Sequence, residues 1–405
     1  MIMKDSVILD KWDEISLLIK KGTPFTKIAD FLIEKYEIKD RTREMIRKSI
    51  SKKVTREKLK EQHHALANEC DDVGIPLEDV KYYWYKGQKF SINVRNDNEV
   101  DYVSAIGDVI NSHSFQKRKL PTVQTNGKKA IKATLSDMHV GLDPNPDNKS
   151  LFGYEYNAEI FNEHIDKVIN SVVKEYDSNG AFDLLLIDDL GDGLDGYNKL
   201  TTRGGHELEQ NMSNEEAFKT YVNGKLRLIE TLIDLGVARK YQVRNVGACN
   251  HAGSFGRIAN TAIKMILDRV YEKEVVDFYI LERFMEHFDY GVHTFILTHG
   301  KDDKYMFKGL PYTLNDKTIA FINDYIDHYG ITNRHIHVEK GDLHRVGYDR
   351  TKKFDYRNFM SFAPPSAWVQ GNFGDGYSGY SVQIIPKDNG EIQHTDYYFD
   401  LKKRV

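Results

Sequence analysis

The chain has 405 residues, 40% hydrophobic and 29% charged, with a formal net charge of −4. That length predicts two or three domains with an ample core, and a charge so near balance excludes a partner chosen by bulk electrostatics alone. No apolar run approaches the roughly 20 residues of a membrane-spanning helix, the N-terminal stretch lacks a secretory pattern, and the distant Cys70 and Cys249 make no disulfide framework; a cytoplasmic setting is expected.

Residues 10–53 predict three short helices. Trp12, Ile15, Leu18 and Ile19 recur at helical spacing. Thr23-Pro24 predicts an N-cap followed by proline at the first helical position, and Ile28, Phe31, Leu32 and Tyr36 supply the stripe of the second helix. Asp40 can cap a third helix that turns Met45, Ile46 and Ile50 inward and shows Arg41, Arg43, Arg47, Lys48 and Lys52 outward. Residues 41–60 hold nine Lys/Arg against two Glu. Residues 1–60 therefore resemble a small all-α, helix-turn-helix-like module, with Arg41, Arg43, Arg47 and Lys48 as candidate DNA contacts. A solvated basic face is the plainer alternative.

Residues 61–127 read as a connecting region. Helix is expected to continue over Lys58–Cys70. Residues 81–95, KYYWYKGQKFSINVR, interleave aromatics with Lys and Arg. They suit base stacking or, equally, a small packed hairpin. Residues 112–129 are polar, with Pro121 and Gly127, and read as a linker.

From residue 128 onward, β-rich runs alternate with helical ones. Strands are expected at Ala130–Leu135, Leu184–Ile187, Tyr241–Val246, Val292–Leu297 and His335–Glu339. Helices are expected over Asn157–Tyr176 and Glu215–Leu235. Two alternating runs around Asp388-Asn389-Gly390 signal a C-terminal hairpin. The organising stretch is Leu184–Tyr197, LLLIDDLGDGLDGY. Its apolar run fits a strand buried on both faces, and its end delivers Asp192 and Asp195 to a sheet edge where open α/β sheets place ligands. Acids so crowded repel one another unless a cation neutralises them.

The same event happens five times: a β-rich run ends, and the next residues offer Asp, Asn or His. A lone His after a strand is usually a hydrogen-bonded core residue; five such ends in this order are not explained that way. The stretches are Asp137-Met138-His139, Gly191-Asp192-Gly193-Leu194-Asp195, Cys249-Asn250-His251-Ala252, His299-Gly300 and Gly341-Asp342-Leu343-His344. They resemble the D-x-H, G-D-x-x-D, G-N-H-(D/E), G-H and G-H-x-H pattern of the calcineurin-like metallophosphoesterases. The resemblance covers about residues 128–350. It implies a four-layer α/β/β/α sandwich over residues 128–405 and a two-metal site. In that implied site Asp137, His139 and His344 hold one ion and Asn250, His299 and Asp342 the other, with Asp192 bridging. Two such ions share a hydroxide and clamp phosphoryl oxygens. His251 is then the candidate general acid, with Asp195 orienting it or a metal ligand. Asp188 and Asp189 precede the glycine and are expected to stay in the strand, although a register shift would exchange their roles with Asp192.

Two positions depart from the pattern. Asp342 stands where the family has histidine, which makes the site harder and favours Mn²⁺ modestly over Zn²⁺, with Fe and Mg²⁺ as alternatives. Ala252 stands where a carboxylate is usual, so His251 lacks that neighbour. Arg203 and His206, in the loop after the second motif, are candidates for a substrate phosphate; an ordinary loop salt bridge is the alternative for Arg203. The layout, with TTRGGH after the second motif, looks like bacteriophage-encoded phosphoesterases. Three functions follow: a manganese-dependent DNA phosphodiesterase or nuclease, a phosphomonoesterase acting on phosphoprotein or nucleotide, and a non-catalytic DNA-binding or assembly protein with a structural metal site.

Overall fold

A computed structural model describes residues 11–36, 38, 42–51, 53–54, 82–86, 91–95, 107, 117–118, 120–125, 127–247, 249–374 and 376–402. The chain divides into two units, Met1–Glu99 and Val100–Val405.

In the first unit, α1 (Trp12–Lys20), α2 (Phe25–Lys35) and α3 (43–51) close on one small core. Ile15, Ile28, Ala29, Leu32, Ile46 and Ile50 fill it, with Trp12, Leu18, Ile19, Phe31 and Tyr36 at its margin. The predicted stripes thus fall where helical spacing puts them. Two details differ. Pro24 is itself the residue preceding α2, in extended backbone (φ −59°, ψ 142°), so the helix starts one residue later than expected and no side chain caps it. Met45 is 52% exposed; it sits one step, about 100°, off the Ile46/Ile50 stripe. Asp40, Arg41 and the helix expected over Lys58–Cys70 lie outside the described residues. Within 81–95 a hairpin forms: β1 (Tyr82–Lys86) pairs antiparallel with β2 (Ser91–Arg95), Tyr82 opposite Arg95.

Alternation along the strands decides the layering of the second unit. One sheet carries β3 (Lys129–Leu135), β4 (Phe182–Asp189), β5 (Ala238–Val246) and β6 (Val276–Leu281) in parallel. β12 (Gly379–Pro386) and β13 (Gln393–Tyr398), the expected hairpin, extend it antiparallel beside β3. The other sheet has β7 (Glu286–Tyr290), β8 (His293–Thr298), β9 (His335–Lys340), β10 (Gly347–Arg350) and β11 (Asp355–Asn358), in the order β10-β11-β9-β8-β7. Ile131, Ala133, Leu185, Ile187 and Val243 point to one side and share a core with α4 (Ala158–Asn179), α5 (Asn214–Asp234) and α6 (Gly253–Val270). Their alternates Ala130, Leu186 and Val246 point the other way and meet Phe295 and Leu297 of the second sheet. Ile296, Ile336 and Val338 then face outward onto Ile322 and Ile326 of α7 (Asp316–His328). The result is the four-layer α/β/β/α sandwich. Helix α4 begins where Asn157 accepts a hydrogen bond from Ile160 N–H, a side-chain cap read one residue early as the first helical position.

The layer between the sheets is not wholly apolar. Lys132 of β3 donates to Glu339 of β9 at 2.6 Å. Arg244 of β5 forks onto Asp188 of β4 at 2.6 and 2.7 Å. Lys132 lies 3.9 Å from Asp188, and the two cations sit over Phe295 and Phe288. Burial pushes the Lys132 ammonium down although Glu339 and Asp188 oppose it. Asp189, on the opposite face, accepts from Lys225 at 2.7 Å and Tyr221 at 2.8 Å. Asp188 and Asp189 are therefore strand residues with partners of their own, and no register shift exchanges them with Asp192.

The polar segment read as a linker is docked in part on this unit. Arg118 N–H donates to Val270 O, Arg118 pairs with Asp234, and Leu120 packs on the helical core. Among the described residues no helix is long and apolar enough to cross a membrane.

The interlayer pair makes a sharp prediction. Removing one member of a buried, hydrogen-bonded pair costs about 3–5 kcal/mol because the other charge is left alone. Arg244→Met should lower the unfolding free energy extracted from urea titration by that amount, whereas Arg244→Met with Asp188→Leu should recover most of the loss.

Candidate metal centre

The five turns leave the carboxyl ends of β3, β4, β5, β8 and β9 and converge. The first two are zipped together by backbone bonds: Asp137 N–H to Gly191 O, His139 N–H to Asp192 O and Val140 N–H to Gly193 O, at 2.9–3.0 Å. The segment after β11 joins them, with Phe362 and Ala363 N–H donating to the carbonyls of Ser136 and Asp137. Asp137, His139, Asp192, Asp342 and His344 all hold positive φ, between 41° and 71°. Such backbone is costly for non-glycine residues and persists where surrounding structure over-determines it, often at functional sites. Gly191 is needed at φ 107°, and a Cβ there would lie 2.9 Å from the His299 ring. At Gly341 a Cβ would run into the Ser136 hydroxyl and sit 2.7 Å from Asp137 Oδ2.

Three groups of ligand-type atoms result: Asp137, His139 and His344; Asp137, Asp192 and His299; and His139, Asp195 and His251. His139 Nε2 lies 3.1 Å from His344 Nε2, and Asp137 Oδ1 faces the two at 3.7 and 3.3 Å. Asp137 Oδ1 has no hydrogen-bond partner among the described residues. On the other side His299 Nδ1 donates to Leu190 O at 2.9 Å, which fixes Nε2 as an acceptor. That Nε2 lies 2.9 Å from both Asp192 Oδ2 and Asn250 Oδ1. Acceptors turned on one another in a buried pocket need a proton or a cation between them. Imidazole, carboxylate and amide oxygen are also the donor set of a divalent transition ion. The residues present therefore fit metal.

The protonation pattern says the same. Burial disfavours charge on His139, yet the Asp137 and Asp195 carboxylates beside it raise it to about 10. His299 is raised to about 9 by Asp192 against the same burial. Burial raises Asp137 and Asp192, but the neighbouring imidazoles outweigh it and hold both carboxyls well below their usual range. Burial and Asp192 push the Cys249 thiol up, and Cys249 belongs to none of the three groups.

The structure alters several expectations. Asp137 is common to two of the groups, and Asp192, expected to bridge, joins one of them with Asp137 and His299; Asp192 uses Oδ1 to accept His251 N–H at 3.0 Å and Oδ2 to face His299. Asp342 belongs to none of the three groups. Its N–H donates to Asp137 Oδ2, and its carboxylate lies 3.8 Å from Lys301. Asp195 lies behind the centre, with Oδ1 3.0 Å from His139 Nδ1 and its carbonyl accepting from His251 Nδ1 at 3.0 Å. His251 stacks edge-on to His139, with centroids 4.5 Å apart. Arg203 does not offer a free fork. It donates to Asp302 Oδ1 at 2.6 Å and to Asp302 O, and lies 4.1 Å over the Tyr305 ring. The salt-bridge alternative describes it. Its loop braces the third motif, since Arg203 and Thr202 N–H donate to the Asn250 and His251 carbonyls. His206 is exposed and in none of the clusters. Sequence reasoning missed Ser136, which bonds Asp137, and Lys340, which donates to Gly341 O and Asn358; Lys340 is brought down to about 8 by burial. Both adjoin a motif, and that adjacency was the only signal.

No protein-family model and no curated protein matches the chain. Among solved structures it is similar to an archaeal phosphodiesterase (12% identity, 66% of this chain and 99% of that one, TM-score 0.30). A conserved uncharacterized protein of Streptococcus pneumoniae, a predicted phosphoesterase, overlaps at 15% identity, 68% and 93% coverage and TM-score 0.26. Vps29 of Entamoeba histolytica complexed with zinc overlaps at 10%, 67% and 99%, and 0.26. These overlaps are loose, and the reading of the centre rests on this chain's own side chains.

Metal must displace protons from His139 and His299, so the sign of its pH dependence is fixed. Below about 9 and about 10 these rings hold protons that compete with the ion. Affinity should rise with pH through neutrality. Calorimetric titration of Mn²⁺ in buffers of different ionisation enthalpy should show net proton release at pH 7. Gly341→Ala should weaken that binding by at least tenfold by displacing Asp137.

Proposed function

We propose that this chain is a metal-dependent phosphoesterase of the calcineurin-like type, with two divalent ions, Mn²⁺ foremost, and DNA phosphodiesters as substrate. The observation that carries the reading is the pair of adjoining acceptor clusters around Asp137, built from five strand ends. When bound, two such ions clamp phosphoryl oxygens and lower the pKa of an attacking water. Asp137, His139 and His344 would hold one ion, and Asp192, Asn250 and His299 the other, with Asp342 at the rim of the second.

His251 supplies the proton for the departing oxygen. With Nδ1 donating to Asp195 O, Nε2 is the nitrogen left to carry that proton. Asp195 also faces His139 Nδ1, so one residue orients a ligand and the acid together. Burial of Asp195 at 1% exposure keeps water from competing for either contact.

The choice of DNA over a monoester is supported by the N-terminal unit. Arg43 and Lys48 are well exposed at 63% and 73%. Arg47 forks onto Glu44 at 2.6–2.8 Å, Lys48 lies 3.9 Å from the same carboxylate, and Arg43 lies 3.6 Å from Asp30. The face is thus less basic than its composition, and its net attraction for phosphate comes from the residual positive charge. A tethered phosphate-binding module raises the local concentration of diesters near the catalytic unit.

Purified protein with Mn²⁺ should hydrolyse bis(p-nitrophenyl) phosphate and linear DNA; cleavage of p-nitrophenyl phosphate alone would remove the diesterase reading. His251→Ala should keep its metal by elemental analysis and lose about 10²–10⁴-fold in turnover. Replacing Arg43, Arg47 and Lys48 together by Ala should weaken duplex DNA binding and flatten its salt dependence by up to three phosphate contacts.

A further inference from the structure

Segment 361–378 leaves the Asp137 turn and returns to it. Phe362 and Ala363 N–H bond the Ser136 and Asp137 carbonyls, Ser361 Oγ donates to Asp137 O, and Ser378 Oγ donates to Ala363 O. Between these anchors the segment carries α8 (Ala367–Phe373) and puts large aromatics outside. Trp368 is 66% exposed, Phe373 45% and Tyr377 74%, and Tyr398 of β13 adds a ring at 53%. They form two pairs, Trp368 edge-on to Phe373 at 5.5 Å and Tyr377 tilted on Tyr398 at 5.1 Å. Arg345 follows the ligand-type His344 directly. It lies 5.0 Å over Phe373, donates to Phe373 O at 3.2 Å, and faces no carboxylate among the described residues. The backbone at Gly376 comes close to His344 O.

Trp368 and Tyr377 leave most of their ring surface in solvent on this one loop, and large exposed aromatics often mark an interaction site. We infer that this loop is a landing track for a single-stranded nucleic acid, its bases stacking on Trp368 and Tyr377 and a phosphate resting on Arg345. This rests on the diesterase reading above and narrows it from DNA in general to an unpaired strand. Three observations favour that occupant. Flat rings beside a guanidinium that faces no carboxylate among the described residues match the alternating base and phosphate of a polynucleotide. The loop is mounted by its own hydrogen bonds on the turn that carries Asp137, and Arg345 directly follows His344 in the chain. Protruding rings reach unstacked bases but not those enclosed in a duplex. A protein partner is the competing occupant.

The test uses the full chain with Arg43, Arg47 and Lys48 already replaced by Ala, in EDTA so that nothing is cleaved. Fluorescence anisotropy measures binding of a labelled 20-nucleotide oligothymidylate and of a blunt duplex of equal length. The single strand should bind more tightly than the duplex. Trp368→Ala and Tyr377→Ala should each weaken it by about tenfold, and Arg345→Gln should reduce the salt slope by about one phosphate contact. Unchanged melting temperatures would confirm that these exposed substitutions leave the fold intact. Equal binding by wild type and variants, or preference for duplex, overturns the track. So does concentration-dependent self-association of the wild type that Trp368→Ala abolishes, if oligothymidylate does not bind. The diesterase reading fails separately, through the wild type's lack of hydrolysis of bis(p-nitrophenyl) phosphate with Mn²⁺, an assay that needs no track.

Discussion

Everything in the larger unit answers to one electrostatic demand: buried acceptors brought face to face. Asp137 Oδ1 looks at two imidazole nitrogens, and His299 Nε2 looks at two oxygens. Left alone, such a set takes up protons, which is what the raised histidines record. Holding it open against that repulsion needs rigid supports. The supports are the zipped β3 and β4 turns and the backbone bonds from the segment after β11. Left-handed backbone at five of the converging residues is the visible cost, of order 1–3 kcal/mol each. It is offset by strands paired on both sides and by cores on both faces of the first sheet.

Four acids within eight residues, Asp188, Asp189, Asp192 and Asp195, take four separate places. Strand alternation turns Asp188 to the interlayer, where Arg244 and Lys132 meet it, and Asp189 to the helices, where Lys225 and Tyr221 meet it. After Gly191 the chain leaves strand geometry. Asp192 then enters the pocket, and Asp195 passes behind it to His139 and His251. A buried carboxylate without a cation is far too costly to keep charged. The fold therefore gives the first two cationic side chains of its own and leaves the pocket acids to be matched by something bound.

Much of this was legible. A continuous apolar run with glycine beyond it gave the central strand, and the repeated strand-end acids and histidines gave the convergence. Helical stripes in α1, α2, α4 and α5 were read almost to the residue, as was the C-terminal hairpin from its Asp-Asn-Gly turn. The helices α6 and α7 and the strands β6, β7, β10 and β11 went unmarked. Their signals are weaker: β7, β10 and β11 are four or five residues long and half polar, and α6 opens directly on the motif turn with no side-chain cap. Which residue partners a charge was not legible at all. Arg203 stood beside a motif and was read as a phosphate fork, but its partner Asp302 lies some hundred residues on. Lys132 and Glu339 are likewise 207 positions apart. Sequence spacing carries no record of such contacts, which only the packing of two sheets creates.

The two departures from the family pattern take on a different meaning in three dimensions. Ala252 removes the carboxylate expected beside His251, yet the imidazole is not loose. The Asp195 carbonyl accepts a hydrogen bond from its Nδ1 and the His139 ring stands across its edge. The holder has moved to the neighbouring motif, so the tautomer that leaves Nε2 facing outward is still specified. At the other departure, an imidazole at 342 would be neutral when it bound an ion, whereas Asp342 brings a negative charge. Lys301, 3.8 Å away and 40% exposed, offsets that charge, and the solvent around its ammonium keeps the pair's contribution modest. The extra charge is therefore only partly cancelled. The pocket thus keeps a more anionic edge than a histidine at 342 would give it.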